Sequence, residues 1–294
     1  MAKGLREINQ RIKSVKSTAQ ITKAMQLVAS SKMKRAQEAA LAGRDYGILL
    51  ADILDSALQN LGENYSHPLI QPREVKTRGI LLLSTDKGLC GALNVNLFRL
   101  LNDIPKSAKF VAVGRKGAQF LARTGRHLLA DFPISDRVNF SEVRAPGEFL
   151  IEQYLKGEID TLEIIFPHFK NTLMQEPTLL PVLPLTDIHQ VVESARAKSG
   201  GKSQAYRDDR DMAFEPSAEE IIGQLPALYF KNTLYHTVLE AKASEHSARM
   251  VAMKAATDNA KKITESLTLE YNKARQAAIT QEIVEITAAA LMEQ

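Results

Sequence analysis

ALYFKNTLYHTVLEAKASEHSARMVAMKAATDNAKKITESLTLEYNKARQAAITQEIVEITAAALMEQ, residues 227–294, runs 68 residues without a glycine or a proline, and LREINQRIKSVKSTAQITKAMQLVASSKMKRAQEAALA, residues 5–42, does the same for 38. At about 1.5 Å per residue the later stretch makes a helix of roughly 100 Å, whereas a compact chain of this length spans about 50 Å. Such a helix has to leave its own globule and bury its apolar stripe elsewhere. The other glycine-free stretch, folded back beside it, is the nearest partner.

The spacing supports that pairing. In the first stretch Ile8, Ile12, Val15, Ala19, Thr22, Ala29, Met33, Ala36 and Ala40 recur at alternating intervals of four and three, broken only where Gln26 falls between Met25 and Leu27. This is heptad spacing. In the second, Leu234, Val238, Ala241, Ala248, Ala252 and Ala255 suggest a seam, continued less regularly by Ile263, Leu267, Ala274, Ala278 and Ile286. The alanines predict a slender shaft that a partner helix can approach closely. Ser217 with Glu220 forms a capping box that starts a helix at about Ala218, Gly223 and Pro226 weaken its first turns, and the long helix proper is expected from Ala227.

Between the two stretches the period changes. Helical character continues from Tyr46 to Leu61, with Gly43 and Gly47 as a bend, and breaks in a loop from Gly62 to Pro72. GILLLS (79–84) reads as a buried strand, followed by the loop TDKGLCG (85–91) and a helix through Leu101. KFVAVG (109–114), the turn RKG and a helix from Ala118 to Arg123 repeat the unit. A helix near Gly147 to Lys156 and strands at Thr161 to Phe166 and Pro177 to Leu183 complete a small, mainly parallel α/β (Rossmann-like) domain. The fold expected is this domain, residues 76–190, inserted between the N-terminal helix (1–61) and the C-terminal helix (217–294) of a long antiparallel two-helix coiled coil. Residues 186–211 are polar and carry Ser199-Gly200-Gly201, so 191–216 reads as an exposed loop.

Composition bounds the chemistry. The chain has 294 residues, 45% hydrophobic and 24% charged, which describes a folded protein of one or two domains. No uncharged apolar run reaches the roughly 18 residues that span a bilayer. The N-terminal segment lacks the apolar core of an export signal, and its unbroken helical period reads as mature protein rather than a transit peptide. The single cysteine excludes an internal disulfide, and the six histidines have no ligand spacing, so neither a metal nor a cofactor is expected. Net charge is +4, yet residues 1–44 hold ten Lys or Arg against Glu7 and Glu38, a local +8 that leaves −4 for the remainder. Such a basic helix faces nucleic acid, anionic lipid, an acidic protein or only water.

The remaining candidates read as structure. Gly88-Leu89-Cys90-Gly91 lacks both phosphate-loop patterns. Gly114-Arg115-Lys116-Gly117 matches the GxxG of nucleic-acid clamps but follows a strand, and a tight turn is the better reading. Cys90 has no accompanying His and Asp, and Asp208, Asp209 and Asp211 alternate with arginines as a solvated charge run. A mechanical part, not an active site, is what remains.

ITKAMQLVASSKM (21–33), STDKGLCGALNVNLF (84–98), MVAMKAATDNA (250–260) and YNKARQAAITQEIVEI (271–286) resemble the gamma subunits of F-type ATP synthases, in the right order along the chain. The resemblance implies a non-catalytic rotor shaft inside a ring of alternating alpha and beta subunits, with the α/β domain at its foot against the epsilon subunit and the membrane-embedded c ring. It implies a place on the cytoplasmic face of the bacterial inner membrane, touching the membrane only through partners, with no nucleic acid involved. Position by position, Lys23, Met25, Arg275, Gln276, Thr280 and Glu282 match residues that meet the acidic beta-subunit loops gripping the shaft, and Phe214 and Glu215 match a stretch beside the c ring. The cysteine pair of redox-regulated chloroplast relatives is missing, so no thiol switch is expected. Few large anchors are expected near the C-terminal tip (287–292), which suits a bearing that slides.

Overall fold

The computed structural model describes residues 2–61, 67–186, 188 and 217–292. Helices α1 (Ala2–Ala42) and α2 (Arg44–Leu61) precede strand β1 (Arg78–Leu83), α3 (Leu93–Leu100), β2 (Lys109–Val113), α4 (Arg115–Arg123), β3 (His127–Phe132), α5 (Phe140–Leu155), β4 (Thr161–Phe169), β5 (Gln175–Leu183) and α6 (Ala218–Met292). The chain divides into two compact units, residues 1–30 with 249–294, and residues 31–248.

The larger unit is built on a five-stranded sheet in the order β3-β2-β1-β4-β5. Strands β3, β2, β1 and β4 are parallel, and the β4–β5 hairpin adds an antiparallel edge. Alternation along β1 explains the layers: Ile80 and Leu82 face α3 and α4 with Phe110, Leu97 and Leu121, while Leu81 and Leu83 face a larger core with Leu54, Leu150, Phe230 and Leu234 from α2, α5 and α6. Both faces are covered, which is why β1 reads as an unbroken apolar run.

In a sheet of this order the opening beyond the carboxyl ends of the strands, where the connections diverge, ordinarily takes the ligand. Here Val238, Ala241, Lys242 and Glu245 of α6 meet Leu83, Ser84, Thr85 and Val113 there, leaving a cavity of about 10 Å³. That holds one water at most.

Several boundaries differ from expectation. β3 was not anticipated: it is a half-buried edge strand whose apolar signal is diluted. The GRKG segment is no free turn, because α4 starts at Arg115, and its amides are used inside the domain: Lys116 N–H donates to Thr85 O (3.0 Å) and Gly117 N–H to Ser84 Oγ (2.8 Å). α5 begins at Phe140 and passes through Pro146. The chain does break between α1 and α2 at Gly43, where α6 approaches so closely that an added Cβ would lie 2.5 Å from the His236 ring.

α6 starts at Ala218 as the capping box indicated, with Glu220 N–H donating to Ser217 Oγ at 3.2 Å, but departs from expectation in continuing unbroken past Gly223 and Pro226. Proline inside a helix forgoes one backbone hydrogen bond and meets the preceding turn, a penalty of about 3 kcal/mol. Tyr229, Phe230, Leu234, Val238 and Leu239 bury just downstream and hold the helix onto the sheet. Burying a large apolar side chain contributes about 1.5–3 kcal/mol, so a few of these offset the proline.

Candidate partner-contact surface

The smaller unit is a helix pair made by residues 1–30 of α1 and 249–294 of α6. On α1 the expected seam is present, with Ile12, Thr22 and Ala29 buried and Ile8, Val15 and Ala19 half-buried. On α6 the seam keeps the expected Leu267, Ala274 and Ala278 but otherwise runs through Met253, Thr257, Ala260, Thr264 and Tyr271, while the expected Ala255, Ile263 and Ile286 face outward. The true seam keeps strict intervals of four and three. It admits threonine because each hydroxyl returns to its own helix, Thr257 Oγ1 to Met253 O (2.8 Å) and Thr264 Oγ1 to Ala260 O (2.9 Å).

Thr22 and Thr257 meet across the seam at 2.7 Å. One of the two hydroxyls spends its single hydrogen across the seam, and with its partner gone Thr22 Oγ1 can still donate to Thr18 O (3.0 Å), so Thr257→Val should cost about 0.5–1.5 kcal/mol. The double variant with Thr22→Val should recover most of that. Urea midpoints of both single variants and the double check it; a double variant destabilised by the sum of the singles or more would contradict it.

Thr22 opposite Thr257 also sets the level of each candidate residue. Antiparallel pairing puts Met25 opposite about residue 254 and Arg275 near the first described residues of α1. Lys23 with Met25 therefore lies roughly 30 Å along the axis from Arg275, Gln276, Thr280 and Glu282. They form two levels, not one site. At the first, Lys23 is exposed and its Nζ donates to Gln26 Oε1 at 3.2 Å, and Met25 is half-buried. At the second all four are exposed, Thr280 Oγ1 donates to Gln276 O at 3.0 Å, and neither Arg275 nor Glu282 forms an ion pair among the described residues. Phe214 and Glu215, and Asp208, Asp209 and Asp211 in the stretch 191–216 expected as a loop, lie outside the described residues.

Both levels carry uncovered apolar groups that heptad reasoning passed over because they fall off the seam. Ile21, Leu27 and Val28, each more than half exposed, flank Met25, and Ile279, Ile283, Val284 and Ile286 follow Arg275. These large side chains precede the tip at 287–292, where few anchors were expected. A row of exposed aliphatic side chains on a helix pair is a surface made to be covered by another protein.

Elsewhere Cys90 is a buried thiol beside Thr85 and Asn94, as its sequence context suggested. Among the described residues no group of His, Cys, Asp or Glu is placed to hold a metal ion.

A family model described as ATP synthase matches residues 4–291. The chain is 55% identical over 285 residues to the ATP synthase gamma chain of Opitutus terrae, covering 97% of each. It is 43% identical over 290 residues to that of Methylacidiphilum infernorum, again covering 97% of each. A chain of the Tetrahymena thermophila mitochondrial ATP synthase central stalk and c ring superposes with a TM-score of 0.60 at 26% identity, over 80% of this chain and 99% of that one. In fold it is also similar to a chain of the Euglena gracilis mitochondrial enzyme in an F1 and c-ring assembly, with a TM-score of 0.66 at 17% identity over 98% and 94%.

Proposed function

The chain belongs to the ATP synthase gamma-chain family, and from that premise we propose that its exposed apolar rows are the bearing surface of a rotor. It is the central shaft of an F-type ATP synthase, coupling ion-driven rotation of the c ring to ATP synthesis or hydrolysis on the beta subunits. It transmits torque and makes no bonds itself. Its partners are the ring of alpha and beta subunits, the epsilon subunit and the c ring. None of its described helices is long and apolar enough to cross a membrane, so it is held there through the complex.

The residue assignments go further. Lys23, Met25, Arg275, Gln276, Thr280 and Glu282 are proposed as the grip on the beta subunits, at two heights on the shaft, and Phe214 and Glu215 as c-ring contacts. Residues 1–61 and 217–294 are assigned to the axle and 76–190 to the foot, on the cytoplasmic face of a bacterial inner membrane, while 191–216 lie outside the described residues. The observation that carries this reading is the helix pair whose small-residue seam leaves Ile21, Leu27, Val28, Ile279, Ile283, Val284 and Ile286 uncovered. Lys23 and Arg275 add cations that suit acidic loops.

The test is reconstitution. Mixed with alpha and beta subunits of its own complex, the chain should yield a stable assembly that hydrolyses ATP, while the chain alone should not. Absence of such an assembly would refute the assignment.

A further inference from the structure

A charged cluster within the larger unit joins three parts of the fold. Asp136 lies in the loop between β3 and α5, and its Oδ2 accepts a hydrogen bond from Lys32 Nζ of α1 at 2.5 Å. Its Oδ1 faces α6, 3.8 Å from His246 Nε2 and 4.0 Å from Lys242 Nζ. Lys242, with a side chain only 6% exposed, also lies 3.5 Å from Glu245 Oε2 and 3.9 Å from Asp86 Oδ2, in the loop after β1. Asp86 in turn accepts the Arg115 N–H at 3.0 Å, at the start of α4.

The loop that presents Asp136 is set in advance. Ser135 N–H donates to Glu142 Oε2 at 3.2 Å, and the Ser135 hydroxyl lies 2.9 Å from the same oxygen. Burial alone would push the Asp136 carboxyl up, but the Lys32 hydrogen bond with the charges of His246, Lys32 and Lys242 outweighs it and holds the group below the usual carboxylate range. It therefore stays ionised near neutral pH. A buried lysine among carboxylates is a costly way to gain stability, since apolar side chains of similar size do as well. Fixed geometry is what such a network provides.

We propose that Asp136 is a positioning residue that clasps residues 31–42 of α1 and 218–248 of α6 to the loop leaving the sheet, so that within the larger unit these segments turn with the sheet when torque passes through them. This rests on the rotor reading above. Apolar packing already holds these helices against the sheet, and a carboxylate shared between a lysine on one helix and a lysine and a histidine on the other adds a directional contact that opposes relative shear.

The experiment uses the whole complex in vesicles, measuring ATP hydrolysis and ATP-driven ion pumping side by side. With Asp136→Asn, hydrolysis should stay within twofold of the unsubstituted complex while ions pumped per ATP fall at least threefold, and Asp136→Glu should restore most of the loss. Unchanged pumping per ATP in an assembled Asp136→Asn complex overturns the clasp. Should Asp136→Asn fail to assemble, Lys32→Met decides, since it removes only the α1 partner: the same loss supports the clasp, and unchanged pumping overturns it. An unsubstituted complex that neither hydrolyses ATP nor pumps would instead refute the rotor reading.

Discussion

Gly114→Ala is expected to destabilise the larger unit by roughly 2–6 kcal/mol, the sum of about 1–3 for a backbone conformation foreign to alanine and about 1–3 for overpacking. Gly114 sits at φ 95° and ψ 132°, and a Cβ built on it would lie 2.2 Å from Ser84 O and 2.7 Å from Ser84 C. Those are backbone atoms of the residue that follows β1, and Ser84 N–H donates to Val113 O at 2.8 Å. Nothing there can yield without parting β1 from β2 at their carboxyl ends. Set against the ~5–15 kcal/mol that holds a typical domain, the loss decides whether the sheet forms. Urea unfolding followed by circular dichroism should show a lower midpoint, with Gly88→Ala, whose Cβ would meet nothing within 4 Å, as the control. Equal midpoints for the two would refute the argument.

The second large effect is on coupling. Met25→Lys adds a cation beside Lys23, in the row flanked by exposed Ile21, Leu27 and Val28. Against the acidic loops proposed to grip the shaft, one more close charge pair is worth about 1.5 kcal/mol or more, enough to favour one orientation about tenfold. A bearing held in one orientation no longer passes its rotation on. Ions pumped per ATP should fall about tenfold, while the helix content and thermal midpoint of the chain stay close to the original because Met25 is only half-buried. Met25→Leu, which keeps volume and charge, should pump normally. Normal pumping by the lysine variant would remove Met25 from the grip.

What could be read in advance follows from how strongly each residue's fate depends on its neighbours in sequence. The α1 seam was legible because Ile8, Ile12, Val15 and Ala19 repeat a period that only one helix face can satisfy. On α6 the same reasoning favoured Ala252, Ala255 and Ile263 over Thr257 and Thr264, since a hydroxyl looks polar until its own helix supplies the acceptor. Pro226 looked like a helix breaker because its local penalty is visible in sequence, while the burial of Phe230 and Leu234 that offsets it is not. β3 escaped notice for a related reason: an edge strand with half-covered residues has neither the continuous apolar run of β1 nor clear alternation. The Asp136 contacts join residues more than a hundred positions apart, and no spacing could announce them. Of the surface residues, Lys23, Met25, Arg275, Gln276, Thr280 and Glu282 came from family resemblance, whereas the exposed aliphatic rows needed the burial of each side chain.

The filled opening above the strands has a consequence for how the chain is made. α6 follows every strand in the sequence, so the sheet leaves the ribosome with its upper trench open and the side facing Phe230 and Leu234 covered only by α2 and α5. Until these first turns of α6 emerge, the nascent domain presents sticky apolar surface to the cell, the condition in which chaperones bind and aggregation competes with folding. A chain terminated before about residue 245 would lack this cover and be left for proteolysis rather than entering the complex half-built.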